Sequence, residues 1–326
     1  MRISDNALNV LAAKSYRGIG RAWIVKHLKG NETASNIAGL LNETAKDGGP
    51  PTARDFEHAR EKIKASIEEL ASYSDGVVAI GDKDFPSHRG SVKSGEQPVC
   101  LFYRGNLRLL DKTNKNIAVI GLLNPDKDTE SIEGEVVAKL VSCGATIVSG
   151  LALGCDTVAH RQALRAAGKT IAILPSPLDD ILPIANRALA AEIVRNGGLV
   201  VTEYYEKSRS RMELSGRYQD RDRLQALFSD CVVLAASYAK NDLGNDSGAR
   251  LAMEYAASYS IPRSVLYDRA TDAANPKYEL NRQLIAAHGD IIAINRENID
   301  SATKRIVSGS MTDLRSEPAH QADLFG

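Results

Sequence analysis

Thr146-Ile147-Val148-Ser149-Gly150-Leu151-Ala152-Leu153-Gly154-Cys155-Asp156 reads as a short β-branched run that stops at a glycine, turns through a second glycine and enters a helix at an aspartate. Consecutive apolar positions in so short a run point to a strand buried on both faces. The same alternation extends in both directions. Upstream, Ile117-Ala118-Val119-Ile120-Gly121 is a strand ending in glycine, followed by a helix over 133–143. Downstream come a helix over 156–167, a strand over 170–174, a helix over 185–196 and a strand over 199–202. A helix over 221–228, a strand over 231–235, a helix over 248–259 and a strand over 264–267 complete the series. Short apolar strands alternating with helices predict an α/β fold: a Rossmann-like, doubly wound, mostly parallel sheet. Such sheets take ligands at the carboxyl ends of their strands. There the chain places Gly121, Ser149, Gly150, Ser176, Glu203, Ser237, Ser247 and Gly248.

Residues 1–75 read as a small helical domain of helix-hairpin-helix or SAM-like type, with Arg17-Gly18-Ile19-Gly20 as its turn and a loop over 43–53. Residues 76–300 form the Rossmann-like domain with its lead-in, and 301–326 read as a flexible polar tail. Of the 326 residues, 43% are hydrophobic, enough for a sizeable core. Lys plus Arg equals Asp plus Glu at 41 each, so a general polyanion coat is excluded and any nucleic-acid site must be a local patch. The four cysteines form no CxxC pair and read as reduced, buried thiols. No run approaches the ~18 apolar residues of a membrane span, and no basic leader opens the chain. A cytoplasmic protein without membrane contact is expected.

The glycines of the segment over 149–156 let a ligand come close to the backbone, and free N–H groups at the helix start favour an anion. The alternative is a tight turn that binds nothing. Ser247 and Gly248 open a second strand-end loop, with Arg250 as a planar cation suited to phosphate. The clearest basic cluster is Lys207, Arg209, Arg211, Arg217, Arg221 and Arg223, interleaved with Tyr204, Tyr205 and Tyr218. Arginines beside aromatics suit a single strand, because cations track phosphates while rings stack bases. A solvated loop of ion pairs is the plainer alternative. There is no GxGxxG, no P-loop, no HExxH and no metal-ligand spacing, so no cofactor, metal or catalytic residue is expected. His160 falls four residues after Asp156 and reads as a helix residue bonded to Asp156 or to the loop rather than a base.

The ordered series of segments resembles the DprA/Smf family. It comprises 117–121, 144–156 with Ala159-His160, 168–174 with Asp179, Pro183 and Asn186, 198–204, Arg221-Asp222-Arg223, Ser247-Gly248 with Ala252 and Glu254, and 281–289. Asp84-Phe85-Pro86 and Leu101-Phe102-Tyr103-Arg104-Gly105-Asn106 resemble the family's lead-in. The resemblance implies single-stranded DNA binding, a homodimer and a RecA-type recombinase as partner. It implies phosphate contacts at Gly121, Ser149, Gly150, Arg217, Arg221, Arg223, Ser247, Gly248 and Arg250. The chain departs from the pattern at Gly121-Leu122-Leu123, where the family has Gly-Ser-Arg, at Pro175-Ser176-Pro177, and at Tyr218-Gln219. It reads as a divergent member without a winged helix. Two alternatives stand beside this reading. One is a LOG-like nucleotide enzyme or sensor using the loop over 244–249 with Glu254; the other is a DNA-sensing subunit paired with a toxin in phage defence. Finally, Gln321-Ala322-Asp323-Leu324-Phe325 resembles the bacterial clamp-binding pentapeptide, which implies that Gln321, Leu324 and Phe325 contact a sliding clamp.

Overall fold

A computed structural model describes residues 1–44, 51–240 and 248–309. The chain opens with strand β1 (Arg2–Ile3) and helices α1 (Asp5–Lys14), α2 (Arg21–His27), α3 (Ala34–Thr44) and α4 (Ala53–Glu68). Strands β2 (Gly76–Ala79) and β3 (Cys100–Gly105) follow. The alternating region then runs β4 (Asn116–Ile120), α5 (Lys127–Ser142), β5 (Thr146–Ser149), α6 (Cys155–Arg165), β6 (Thr170–Leu174), α7 (Arg187–Arg195) and β7 (Leu199–Thr202). It continues with α8 (Arg211–Leu227), β8 (Cys231–Leu234), α9 (Gly248–Ser258), β9 (Arg263–Leu266), α10 (Arg269–Asp272), α11 (Glu279–Ala287), β10 (Ile292–Ile294) and α12 (Ile299–Ser308).

The described strands form one sheet in the order β1-β2-β3-β7-β6-β5-β4-β8-β9-β10. Strands β7 to β10 in this order are all parallel, and only β3 runs antiparallel to its neighbours. Strand periodicity sorts the side chains onto two faces. Ala118, Ile120, Val148, Ile171 and Ile173 pack beneath Leu224 and Leu227 of α8 and Ala252, Met253 and Ala256 of α9. Ile117, Val119 and Ile147 face Val136, Val137 and Leu140 of α5 and Ala159 of α6. Further along that second face, Ala172, Leu174 and Val200 meet Leu189 and Ile193 of α7 in a cluster that continues into Leu11, Ile24, Ile37, Phe56 and Ile67. The N-terminal helices therefore share a core with the sheet. Each fully buried Leu, Ile or Phe contributes ~1.5–3 kcal/mol.

Helix α5 starts at Lys127, six residues before the expected 133, and four further features differ from the sequence-based expectation. Arg2 and Ile3 are a strand, paired in register with Gly76 and Val77, inside a segment expected to be helical. The lead-in adds β2 and β3 to the sheet. Helix α8 starts at Arg211, ten residues before the expected 221, capped by Ser210, whose hydroxyl accepts from the Glu213 N–H at 3.1 Å. Residues 301–308 belong to α12, with Ala302, Thr303 and Ile306 buried, and not to a tail. Among the described residues the cysteines are all free, and no helix is long and apolar enough to cross a membrane.

Candidate functional site

The strand order reverses between β4 and β8, and their carboxyl ends diverge there into a crevice, the usual ligand position in an open α/β sheet. A cavity of about 520 Å³ occupies it, lined by Gly121, Leu122 and Leu123 beyond β4, Leu153 and Asp156, Tyr218 and Arg221 of α8, Tyr238, and Gly248 of α9. Close backbone approach shapes its rim. A Cβ at Gly121 would lie 2.6 Å from Cys155 Sγ and 3.2 Å from Ala235 Cβ, so only glycine lets α6 and the end of β8 close on β4. The Cys155 N–H donates to the Leu122 carbonyl at 3.0 Å. Gly154, at φ 73°, sits where a Cβ would meet the Leu122 carbonyl oxygen at 2.3 Å. Leu151 holds φ 59°, costly for a leucine. Asn186 secures that turn by donating to the carbonyls of Leu151 (2.8 Å) and Ala152 (3.1 Å) and to Thr157 Oγ1 (2.8 Å).

An ionic network forms the floor. Arg221 is buried and pairs with Asp156 and Asp222, each at 3.3 Å, and its guanidinium lies 5.5 Å from the centre of the Tyr218 ring. Asp156 Oδ2 also accepts from the N–H groups of Gly150 and Ala152, both at 3.1 Å. Gln225 presents its amide nitrogen to Asp222 Oδ1 at 3.1 Å and its oxygen to the Gly150 N–H at 3.0 Å. Gly150 has no substitute here, because a Cβ would lie 1.2 Å from Arg221 Nη1. Burial pushes the Asp222 carboxyl up to about 7, against the pull of Arg221 and helped by the negative charge of Asp156. Burial likewise lowers His160 to about 4, with Asp156 opposing and Arg221 adding to the fall. Its Nδ1 shares a 2.7 Å hydrogen bond with Thr170 Oγ1, so its partner is neither Asp156 nor the loop, as the sequence suggested. Fully buried and outside the pocket lining, this imidazole is not placed to act as a general base there.

The expected phosphate contacts scatter. Gly121, Arg221 and Gly248 line the pocket, and Gly150 lies under the Arg221 guanidinium. Ser149 is fully buried, and its hydroxyl donates to the Val119 carbonyl at 2.7 Å, tying β5 to β4. Arg217 is spent on Glu213 (2.6 Å), the Glu206 carbonyl (2.6 Å) and the Tyr204 ring, 4.3 Å away. Arg223 is 2% exposed and bonds to Glu203 and to the Glu96 carbonyl. Contrary to the sequence-based expectation, these three side chains turn inward, because each finds an acceptor or anion inside the protein. Arg250 pairs with Glu254 at 2.5 Å along α9. Glu254 is itself mostly exposed and is not among the described residues that line the pocket. Ser247 lies outside the described residues, as do Gln321, Leu324 and Phe325. No group of His, Cys, Asp and Glu among the described residues is arranged to hold a metal.

Sequence reasoning missed Arg21. It follows the glycine turn, where Gly18 adopts φ 85° and Ile19 is buried as a packing residue. Arg21 reaches Glu203 at 3.0 Å and Asp220 at 3.1 Å, while Tyr204 donates its hydroxyl to Asp220 at 3.0 Å. With Arg223, these residues bind α2 to α8 and to the end of β7. No local pattern marks a contact across 182 residues. The early start of α8, by contrast, was marked by Ser210-x-x-Glu213, a helix-start signature.

A family model for DNA recombination-mediator protein A matches residues 76–300. The DNA processing protein DprA of Streptococcus pneumoniae is 34% identical over 199 residues, 61% of this chain and 67% of that protein. Protein Smf of Synechocystis is 32% identical over 205 residues, 61% of this chain but only 48% of its own length. The solved DNA processing protein A of Streptococcus pneumoniae superposes with a TM-score of 0.68 at 23% identity, covering 93% of this chain and 98% of its own. DNA processing protein A of Helicobacter pylori, solved to describe its single-stranded DNA binding mode, matches with a TM-score of 0.53 at 29% identity, covering 65% and 88%.

Proposed function

The chain belongs to the DNA recombination-mediator protein A family, and on that premise we propose that its switch-point pocket holds a segment of single-stranded DNA for delivery to a RecA-type recombinase. The carrying observation is the pocket itself, a crevice with an arginine at its floor and an apolar, aromatic mouth. Leu123 and Leu153 are 60% and 48% exposed at the mouth, and Ile184, next to the lining residue Pro183, is 66% exposed. With Tyr218 and Tyr238 they offer faces to unstacked bases, which a duplex does not present. Where the DprA/Smf pattern has an arginine, this chain has Leu123, and both carboxylates beside Arg221 oppose a phosphate. Binding in the pocket therefore leans on base stacking more than on charge, and the pocket's own share of the salt dependence is small.

The test is a titration of labelled oligothymidylate and of duplex against wild type and a Leu153→Glu/Tyr218→Ala variant. Base–aromatic stacking is worth ~1–3 kcal/mol per base, so the variant loses ~10-fold or more in single-strand affinity. Equal affinity of the two proteins for the single strand overturns the pocket assignment. Delivery is read separately, as faster loading of a recombinase on strands already coated by a single-strand-binding protein.

The pentapeptide from Gln321 to Phe325 supports a second contact, with a replicative sliding clamp, in which Leu324 and Phe325 fill an apolar groove and Gln321 satisfies its polar edge. A clamp pull-down of wild type and a Leu324→Ala/Phe325→Ala variant decides it. Equal retention of the two overturns it.

A further inference from the structure

We infer that a second groove, toward the amino ends of the parallel strands and away from the pocket, contacts the phosphates of the same kind of ligand, a single DNA strand. Arg2 on β1, Lys83 after β2, and Arg108 and Lys112 beyond β3 line one cavity of about 630 Å³. All four are exposed, and among the described residues none makes an ion pair or side-chain hydrogen bond. The pocket offers nothing comparable. Arg221 there is held by two carboxylates, and Arg217, Arg223 and Arg250 each have a carboxylate of their own. In a chain of zero formal net charge, these four cations outnumber the nearby carboxylates among the described residues, Asp84 and Asp111 in the lining and Asp75 beside Gly105, and leave a local positive field.

The groove suits a strand better than a single bound phosphate. Five of its backbone donors are already spent. The Phe85 N–H donates to the Asp82 carbonyl (3.1 Å), the Gly105 N–H to the Asp75 carboxylate (2.7 Å) and the Asn106 N–H to the Gly198 carbonyl (3.0 Å). The Arg108 N–H donates to the Asn106 side chain (3.2 Å), and the Asp111 N–H to the Arg108 carbonyl (3.1 Å). A nest of converging amides, which fixes one phosphate in a mononucleotide site, is absent from these positions. What remains is long cationic side chains on three separate segments, the arrangement that tracks a polyelectrolyte. Half-buried Phe85 adds a face for a base, and buried Tyr103 backs the groove, its ring fitting only because Gly76 lies beneath it. A Cβ at Gly76 would come within 2.8 Å of the Tyr103 hydroxyl.

This inference rests on the single-strand reading for its choice of ligand, and one experiment separates the two. The full chain and a Lys83→Ala/Arg108→Ala/Lys112→Ala variant are titrated with labelled oligothymidylate at two salt concentrations. Free thymidine monophosphate and duplex of the same length serve as competitors. Each single-strand phosphate contact contributes ~0.7 to the slope of log affinity against log salt, so the variant loses ~2 from that slope together with ~10-fold or more in affinity. The thermal midpoint is unchanged, because the three side chains are exposed and unpaired. Wild-type binding with an unchanged slope in the variant overturns the groove alone. Competition by the mononucleotide as strong as by the strand, or by duplex as strong as by single strand, overturns the choice of ligand. A wild-type protein that binds no strand overturns both readings.

Discussion

Replacing Gly150 by alanine places a methyl group 1.2 Å from Arg221 Nη1 and 2.3 Å from its Cζ, so the guanidinium must leave the pocket floor. It then loses Asp156 and Asp222, its partners at 3.3 Å. Removing one partner from a buried ion pair costs ~3–5 kcal/mol, and that is the expected destabilisation of Gly150→Ala. Arg221→Ala leaves the same two carboxylates without a cation and costs a similar amount. Asp222 moderates both, since burial already holds it near 7 and loss of its cation favours the proton. Both penalties are therefore smaller at pH 6 than at pH 8. The double variant is the decisive one. Without a guanidinium the nearest atom to the new methyl is an oxygen of the movable Asp156 carboxylate, 2.9 Å away. Gly150→Ala/Arg221→Ala is thus expected to be no less stable than Arg221→Ala alone, a coupling of ~3 kcal/mol. Urea denaturation of all four proteins measures it. Independent sites add to within ~0.5 kcal/mol, and additivity at that level refutes the contact as the reason for the glycine.

Three further outcomes follow from the same geometry. A phosphate in the pocket favours protonated Asp222, so single-strand affinity rises as pH falls through about 7; Asp222→Asn abolishes that dependence and binds ~10-fold tighter at pH 8, and parallel pH profiles refute it. His160 stays neutral to about 4 in the folded protein but charges near 6.5 once unfolded, so it removes ~3 kcal/mol of stability as pH falls across that window. Asp222, raised to about 7, returns stability over the same descent, and the two nearly cancel in the wild type; His160→Gln, measured by denaturation from pH 7 to pH 4, gains stability relative to wild type toward acid, and an unchanged difference refutes it. Arg21→Ala removes charged hydrogen bonds to Glu203 and Asp220, costing ~1.5–3 kcal/mol and speeding amide exchange in α2; unchanged exchange there refutes the tie to α8.

The alternation of β-branched runs with helices determined the fold class without help from the tertiary structure. Strands such as 117–120 and 171–174 are apolar at every position, which a sheet covered on both faces accommodates. The glycines at 121, 150 and 154 were likewise legible as places of close backbone approach. What approaches them was not legible. Gly121 admits Cys155, Gly154 the Leu122 carbonyl, and Gly150 a guanidinium from 71 positions along the chain. The basic cluster of 207–223 could not be resolved into free and spent cations either, because pairing depends on anions brought from other elements. Asp156 comes to Arg221 from α6, and Glu203 comes to Arg223 from the end of β7. Arg2, Lys83, Arg108 and Lys112 look unremarkable in the sequence and share one groove only because β1 pairs with β2 and β2 with β3. Periodicity and residue type act locally, so the sequence alone determined the elements and their two-sided burial. Charge acts through space between residues distant in the chain, so only the tertiary structure decided which arginines are held by carboxylates and which face solvent.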